Sequence, residues 1–154
     1  MADFRVIVTG SRHWPDPARV GRELKKTVCE ECPEGSVFIV VHGANPRGAD
    51  AAAAAWCADL AARLIASMRG VTLRQECHPA PWEARGPAAG PFRNQEMVDA
   101  GADLVLAFVM PCTLKGCAGK PEHVTHGTQD CITRAENAGI PVRRITAERN
   151  PESK

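Results

Sequence analysis

Apolar positions along this chain follow two alternating rhythms. Short runs at 4–9 (FRVIVT), 37–41 (VFIVV), 71–77 (VTLRQEC), 103–109 (DLVLAFV) and 141–145 (PVRRI) predict five strands. VFIVV and DLVLAFV have no polar alternation, as expected of strands covered on both faces. Between the runs the spacing becomes helical. Val20, Leu24, Val28 and Cys29 mark a helix over 16–31, with Asp16 as its N-cap and Pro17 in its first position. The alanine-rich segment 49–68 predicts a second helix, 91–100 a third that opens on Pro91 and stops at Gly101, and 127–138 a fourth. Strands alternating with helices at this spacing predict an α/β fold, a three-layer Rossmann-like sandwich with a mainly parallel five-stranded sheet. Two irregular stretches interrupt the alternation, a Pro- and Gly-rich loop over 78–90 and a longer segment over 110–126. Residues 1–147 are expected to form one domain, followed by a polar tail over 148–154.

Composition narrows the functional classes. Apolar residues make up 44% of the 154, enough to fill one core, although aromatics reach only 5%. Nineteen basic and eighteen acidic residues give a formal charge of +1, which argues against a duplex-wide phosphate-binding surface. Nucleic acid is therefore not the expected partner, and any anion site must be local. No stretch approaches the roughly 18 apolar residues of a membrane span, and residues 1–9 lack a leader pattern. A cytoplasmic location without a membrane partner is the expectation. Seven irregularly spaced cysteines suit buried thiols, reactive thiols or metal ligands better than a disulfide scaffold.

The candidate chemistry gathers at one edge. In an open parallel sheet, loops leaving the carboxyl ends of strands line a common crevice where ligands bind. Four segments are expected there: Gly10, Ser11 and Arg12 after the first strand; Gly43, Arg47, Gly48 and Asp50 after the second; Gly90, Arg93 and Asn94 at a helix start; Gly127 and Thr128 at the last helix start. A helix N-terminus already carries partial positive charge, so arginines collected around such termini point to a phosphate or carboxylate ligand. The bland alternative has Arg12, Arg47 and Arg93 capping exposed loops or pairing with Asp16, Asp50 and Glu96. Helix propensity and small size explain the alanine run without chemistry. Trp14 and Trp82 are candidates for stacking on a base, with Trp82 anchoring its long loop to the domain as the alternative.

Cys112, Cys117, His123 and His126 lie within fifteen residues of the second irregular stretch. Two thiolates and two imidazoles suit tetrahedral zinc, which would order a loop with little apolar content. The C-x4-C and H-x2-H spacings sit at the edges of the usual finger pattern, and ordinary loop residues are the alternative. Cys29 and Cys32 close a helix C-terminus, where a thiolate is not stabilised, so they are read as structural or incidental.

VTGSRHW, HGANPRGADAAA, the stretch PWEARGPAAGPFRNQEMVDAGADLVLAF and HGTQDCITRAENAGIPVR together resemble the SLOG superfamily. Within it they look most like the YspA, cpYpsA-related (YAcAr) group, which is related to Lonely guy and DprA/Smf domains and frequent in bacteria and phages. The resemblance implies a Rossmann-like domain for nucleotides or nucleotide-derived ligands, acting as a sensor or sequestering protein. Lonely guy enzymes within the superfamily cleave the N-glycosidic bond of nucleoside monophosphates, using an arginine before a methionine helix and a GGxGTxxE segment. Arg93 and Met97 match the first part, and Gly127 and Thr128 match part of the second. The glutamate position holds Cys131, with Asp130 one residue early. A neutral thiol cannot supply the negative charge that an oxocarbenium-like centre requires, so the resemblance implies Arg93 and Asp130 as catalytic candidates. Asp50, Glu83 and Glu96 are other carboxylates on the same edge, whose plain roles are capping, solvent exposure and pairing with Arg93. Three readings stay open: a nucleotide-ligand binder, a glycosidic-bond hydrolase or transferase, and a zinc-supported interaction module. Related domains often assemble, so a homo-oligomer is expected.

Overall fold

The computed structural model describes residues 2–117 and 123–147. The expected tail at 148–154, and residues 118–122 of the Cys/His segment, lie outside the described residues. Five strands form one fully parallel sheet in the order β3-β2-β1-β4-β5: β1 (Asp3–Gly10), β2 (Val37–His42), β3 (Thr72–Cys77), β4 (Leu104–Val109) and β5 (Val142–Thr146). The helices are α1 (Pro17–Glu30), α2 (Gly48–Ala58), α3 (Leu60–Met68), α4 (Trp82–Arg85), α5 (Ala89–Asp99) and α6 (His126–Asn137). This is the Rossmann-like three-layer sandwich that the alternation predicts.

The side-chain alternation of the strands divides the core. On one face Val6, Val8, Phe38, Val40, Leu106 and Phe108 pack with Val20, Leu24 and Val28 of α1 and with Ala49 and Ala53 of α2. On the other, Ile7, Ile39, Val41, Val105 and Ala107 pack with Met97 and Val98 of α5 and with Cys131, Ile132 and Ala135 of α6. Every residue of β2 and β4 is buried, whereas β3 is an edge strand with no buried position. Asp16 caps α1 as expected, accepting a hydrogen bond from the Arg19 backbone N–H at 3.1 Å.

Two boundaries differ from the sequence expectation. The alanine-rich segment is two helices bent by 65°, because Asp59 adopts an extended conformation and its carboxylate caps α3 by accepting from the Ala61 N–H at 2.9 Å. The 78–90 loop contains α4 and a 3-10 turn (Gly86–Ala88) that runs into α5, so α5 begins at Ala89 rather than Pro91. Pro91 is tolerated there because first-turn N–H groups have no intrahelical acceptor. Among the described residues no single helix is long and apolar enough to cross a membrane.

Candidate ligand-binding site

The strand order reverses between β1 and β4, and the loops leaving these two strands open a crevice at the carboxyl edge of the sheet. A cavity of about 670 Å³ lies there, within the size range of small-molecule sites. Gly10, Ser11, Arg12, Gly43, Asp50, Gly90, Arg93, Asn94, Gly127, Thr128 and Asp130 all line it. So do Thr9, His13, Asn45, Thr113 and Leu114, which the sequence did not single out.

Arg47 and Gly48 fall outside the lining, for a reason visible in the first turn of α2. Gly48 holds a left-handed φ of +70°, and a Cβ there would meet the Ser11 carbonyl oxygen at 2.1 Å. The Ala49 N–H donates to that same carbonyl at 3.3 Å, and the Asp50 carboxylate accepts from the Asn45 N–H at 3.2 Å. The positive end of α2 is thereby occupied by the protein's own oxygens. Arg47 is exposed, with its backbone N–H tied to Asn45 Oδ1 at 3.0 Å. Trp14 is likewise no base platform: it is 5% exposed, packs edge-on against Phe108, and donates its indole N–H to the Asp16 carbonyl at 2.7 Å. Trp82 is 59% exposed and lines the cavity.

Arg93 is positioned by glycine at a distance. Its Nη1 donates to the Gly43 carbonyl at 2.7 Å and its Nε to Asn94 Oδ1 at 3.0 Å. A Cβ on residue 43 would lie 2.0 Å from that same Nη1, so only glycine leaves room for the guanidinium. The second terminal nitrogen, Nη2, has no hydrogen bond among the described residues. Asn94, 3% exposed, donates its amide to the Gly127 carbonyl at 3.2 Å and to Asp130 Oδ2 at 3.0 Å. Asp130 Oδ2 also accepts from Arg134 Nε at 2.8 Å. The Asn94 amide is thus consumed in joining α5 to α6 and fixing Arg93 and Asp130. Arg12 is exposed on the opposite loop, with no hydrogen bond or ion pair among the described residues.

Two further groups define the electrostatics. Asp50 is 8% exposed, and burial pushes its pKa up against the opposing influence of the Asn45 N–H and the Arg93 charge. Cys131, at the glutamate position, is fully buried under Thr9, and burial pushes its thiol up to about 11. It does not line the cavity and offers it neither charge nor nucleophile. The α6 N-terminus does face the cavity through Gly127 and Thr128, with no acidic residue in its first turn and no side-chain cap from Thr125. That helix end therefore presents unpaired N–H groups and the positive end of its dipole.

Glu96 does not pair with Arg93. Its Oε1 accepts from His78 Nδ1 at 2.6 Å, while His78 Nε2 meets Glu76 Oε2 at 2.8 Å and Glu76 is held by a two-pronged contact from Arg5. Arg5 hydrogen bonding holds the Glu76 carboxyl down at about 2. Burial would lower the pKa of His78, but its bonds to Glu76 and Glu96 outweigh this and raise it. The network runs from β1 across β3 to α5 and braces the helix that carries Arg93. No local motif announces it, because Arg5 and Glu76 meet only through the sheet order.

Cys112, Thr113, Leu114, Thr125 and His126 form the remaining wall. Pro111 and Val124 form an antiparallel bridge, flanked by Cys112 N–H to His123 O at 2.6 Å and Thr125 N–H to Met110 O at 3.0 Å. The ligand atoms of Cys112, Cys117, His123 and His126 all lie within 4.8 Å of one another, a cluster able to hold a metal ion. Cys112 and His126 also line the cavity.

Fold and site together define a Rossmann-like α/β domain with an arginine-bearing pocket at its topological switch point. The family model of the YspA, cpYpsA-related SLOG family matches residues 4–84, and the chain belongs to that family. It is also similar to the Gene 61 protein of Mycobacterium phage D29, with 39% identity over 140 residues, 90% of this chain and 93% of that protein. No solved structure matches the chain.

Proposed function

We propose that this domain binds a nucleotide or nucleotide-derived anion at the carboxyl edge of its sheet, as a sensor or sequestering protein. One observation carries the reading: Arg12, the fixed Arg93 and the uncapped start of α6 border a single cavity. Phosphate oxygens would take the arginine N–H donors and the first-turn amides of α6, the combination helix termini offer to anions. Trp82 offers a flat apolar face for a base at the same cavity. Native mass spectrometry against nucleoside monophosphates, dinucleotides and ADP-ribose-like compounds tests the reading. At least one is expected to bind wild type and to bind Arg12→Ala about tenfold more weakly, the effect of losing one charge-assisted hydrogen bond. Failure of the whole panel to bind would remove it.

A second reading, cleavage or transfer at a nucleotide N-glycosidic bond, is favoured by Asp50 and Asp130 lining the same cavity as Arg93. Asp130, oriented by Asn94 and Arg134, is the carboxylate that would face developing charge at the sugar carbon. Release of free base from nucleoside monophosphates, abolished in Asp130→Asn, would establish it. Binding without release would leave the first reading alone.

A further inference from the structure

The geometry points to a closed, four-coordinate zinc site formed by Cys112, Cys117, His123 and His126, which fastens the β4–α6 segment to the first turn of α6. Zinc bound to sulfur at about 2.3 Å and nitrogen at about 2.0–2.1 Å sets tetrahedral edges of about 3.5 Å for sulfur to nitrogen and about 3.3 Å for nitrogen to nitrogen. Here Cys117 Sγ and Cys112 Sγ lie 3.5 and 3.7 Å from His126 Nε2, and His123 Nε2 lies 3.0 Å from it. Three of the six ligand-to-ligand distances thus lie within about 0.3 Å of tetrahedral edges, and all four ligand atoms lie within 4.8 Å of one another. Both imidazoles turn Nε2 toward the same point, with their rings stacked at 15°.

The scaffold brings ligands from two arms of the loop together. The Cys112 N–H to His123 O bond sets those two residues opposite each other, and the 3-10 turn Lys115–Cys117 returns the second thiol to the cluster. His126 is the first residue of α6, so a metal held there fixes the helix end that faces the cavity. Few apolar contacts hold the described part of the segment: Met110 and Val124 pack against the two core clusters at its ends, and Leu114 between them is 59% exposed. Binding displaces one proton from each thiol to solvent, and two thiolates neutralise the divalent ion. The centre is therefore neutral and neither attracts nor repels an anion in the cavity. With four protein ligands, no position is open for water or substrate, so the site is structural and acts on the cavity only by fixing its wall and the start of α6.

The test uses the whole chain, purified under reducing conditions without chelator. Metal analysis is expected to give one zinc per chain. Replacement with Co²⁺ is expected to give the intense visible absorption of a tetrahedral centre with a thiolate charge-transfer band, and both should disappear in Cys117→Ser. Chelation of wild-type protein should raise amide exchange in the first turn of α6 while β1 and β2 keep their protection. Should Cys117→Ser not fold, cobalt titration of chelated wild type reads the same bands. Absence of bound zinc together with no cobalt–thiolate band would overturn the proposal. A weak octahedral cobalt spectrum, or unchanged exchange in α6 after chelation, would equally do so.

Discussion

The two walls of the cavity are built by different physics. The wall formed by the β1–α1 turn, the β2–α2 turn and α5 rests on buried contacts: Gly48 against Ser11, Gly43 against Arg93, and Asn94 between two helices. The described residues of the 110–126 wall have one isolated β-bridge, a single 3-10 turn and a convergence of two thiols and two imidazoles. Packing positions the first wall, whereas the described part of the second has Met110 and Val124 against the core clusters and, on the zinc proposal, metal ligation beside them. Substitutions in the two walls should therefore differ sharply in their cost to folding.

The largest loss is expected at Gly48. Gly48→Ala adds a Cβ against backbone atoms in a left-handed conformation and should destabilise by about 3 kcal/mol, measured by urea unfolding. Asn94→Ala should cost about 2 kcal/mol, because it removes the links to Arg93, Gly127 and Asp130 at a buried position. A smaller effect is expected from pH. Glu76, held at about 2 against an ordinary 4.5, stabilises the fold above pH 4.5 and ceases to do so as pH falls toward 2. His78 is raised above 6.5, so its contribution is full below pH 6.5 and declines as pH rises through the raised value. A melting-temperature profile should show both limbs, and Glu76→Gln should flatten the acid one. In the second wall, Leu114→Ala should change stability by less than about 0.5 kcal/mol, since the side chain is mostly exposed. A loss as large as that at Asn94 would show that the segment is held by packing after all.

The alternation of strands and helices is legible in the sequence because both sheet faces are covered, which leaves VFIVV and LVLAFV as unbroken apolar runs. The break at Asp59 is not, since one capping carboxylate inside an alanine-rich stretch leaves the helical composition unchanged. Arg12, Arg47 and Arg93 look equivalent as letters. Only the Ser11 carbonyl at the start of α2 and the Asp50 carboxylate within its first turn separate Arg47 from the other two. The Cys/His set is legible as a ligand set, but its place on the cavity wall depends on how the loop folds back onto α6.

Anion recognition by Arg12, Arg93 and the α6 N-terminus is the central claim, and calorimetry with a matched pair tests it most directly. A nucleoside monophosphate and the same nucleoside without its phosphate, chosen from the base that binds best, would be titrated into wild-type protein. The phosphorylated compound is expected to bind at least tenfold more tightly, with affinity falling as salt rises. Equal affinity for the two, insensitive to salt, would contradict the account.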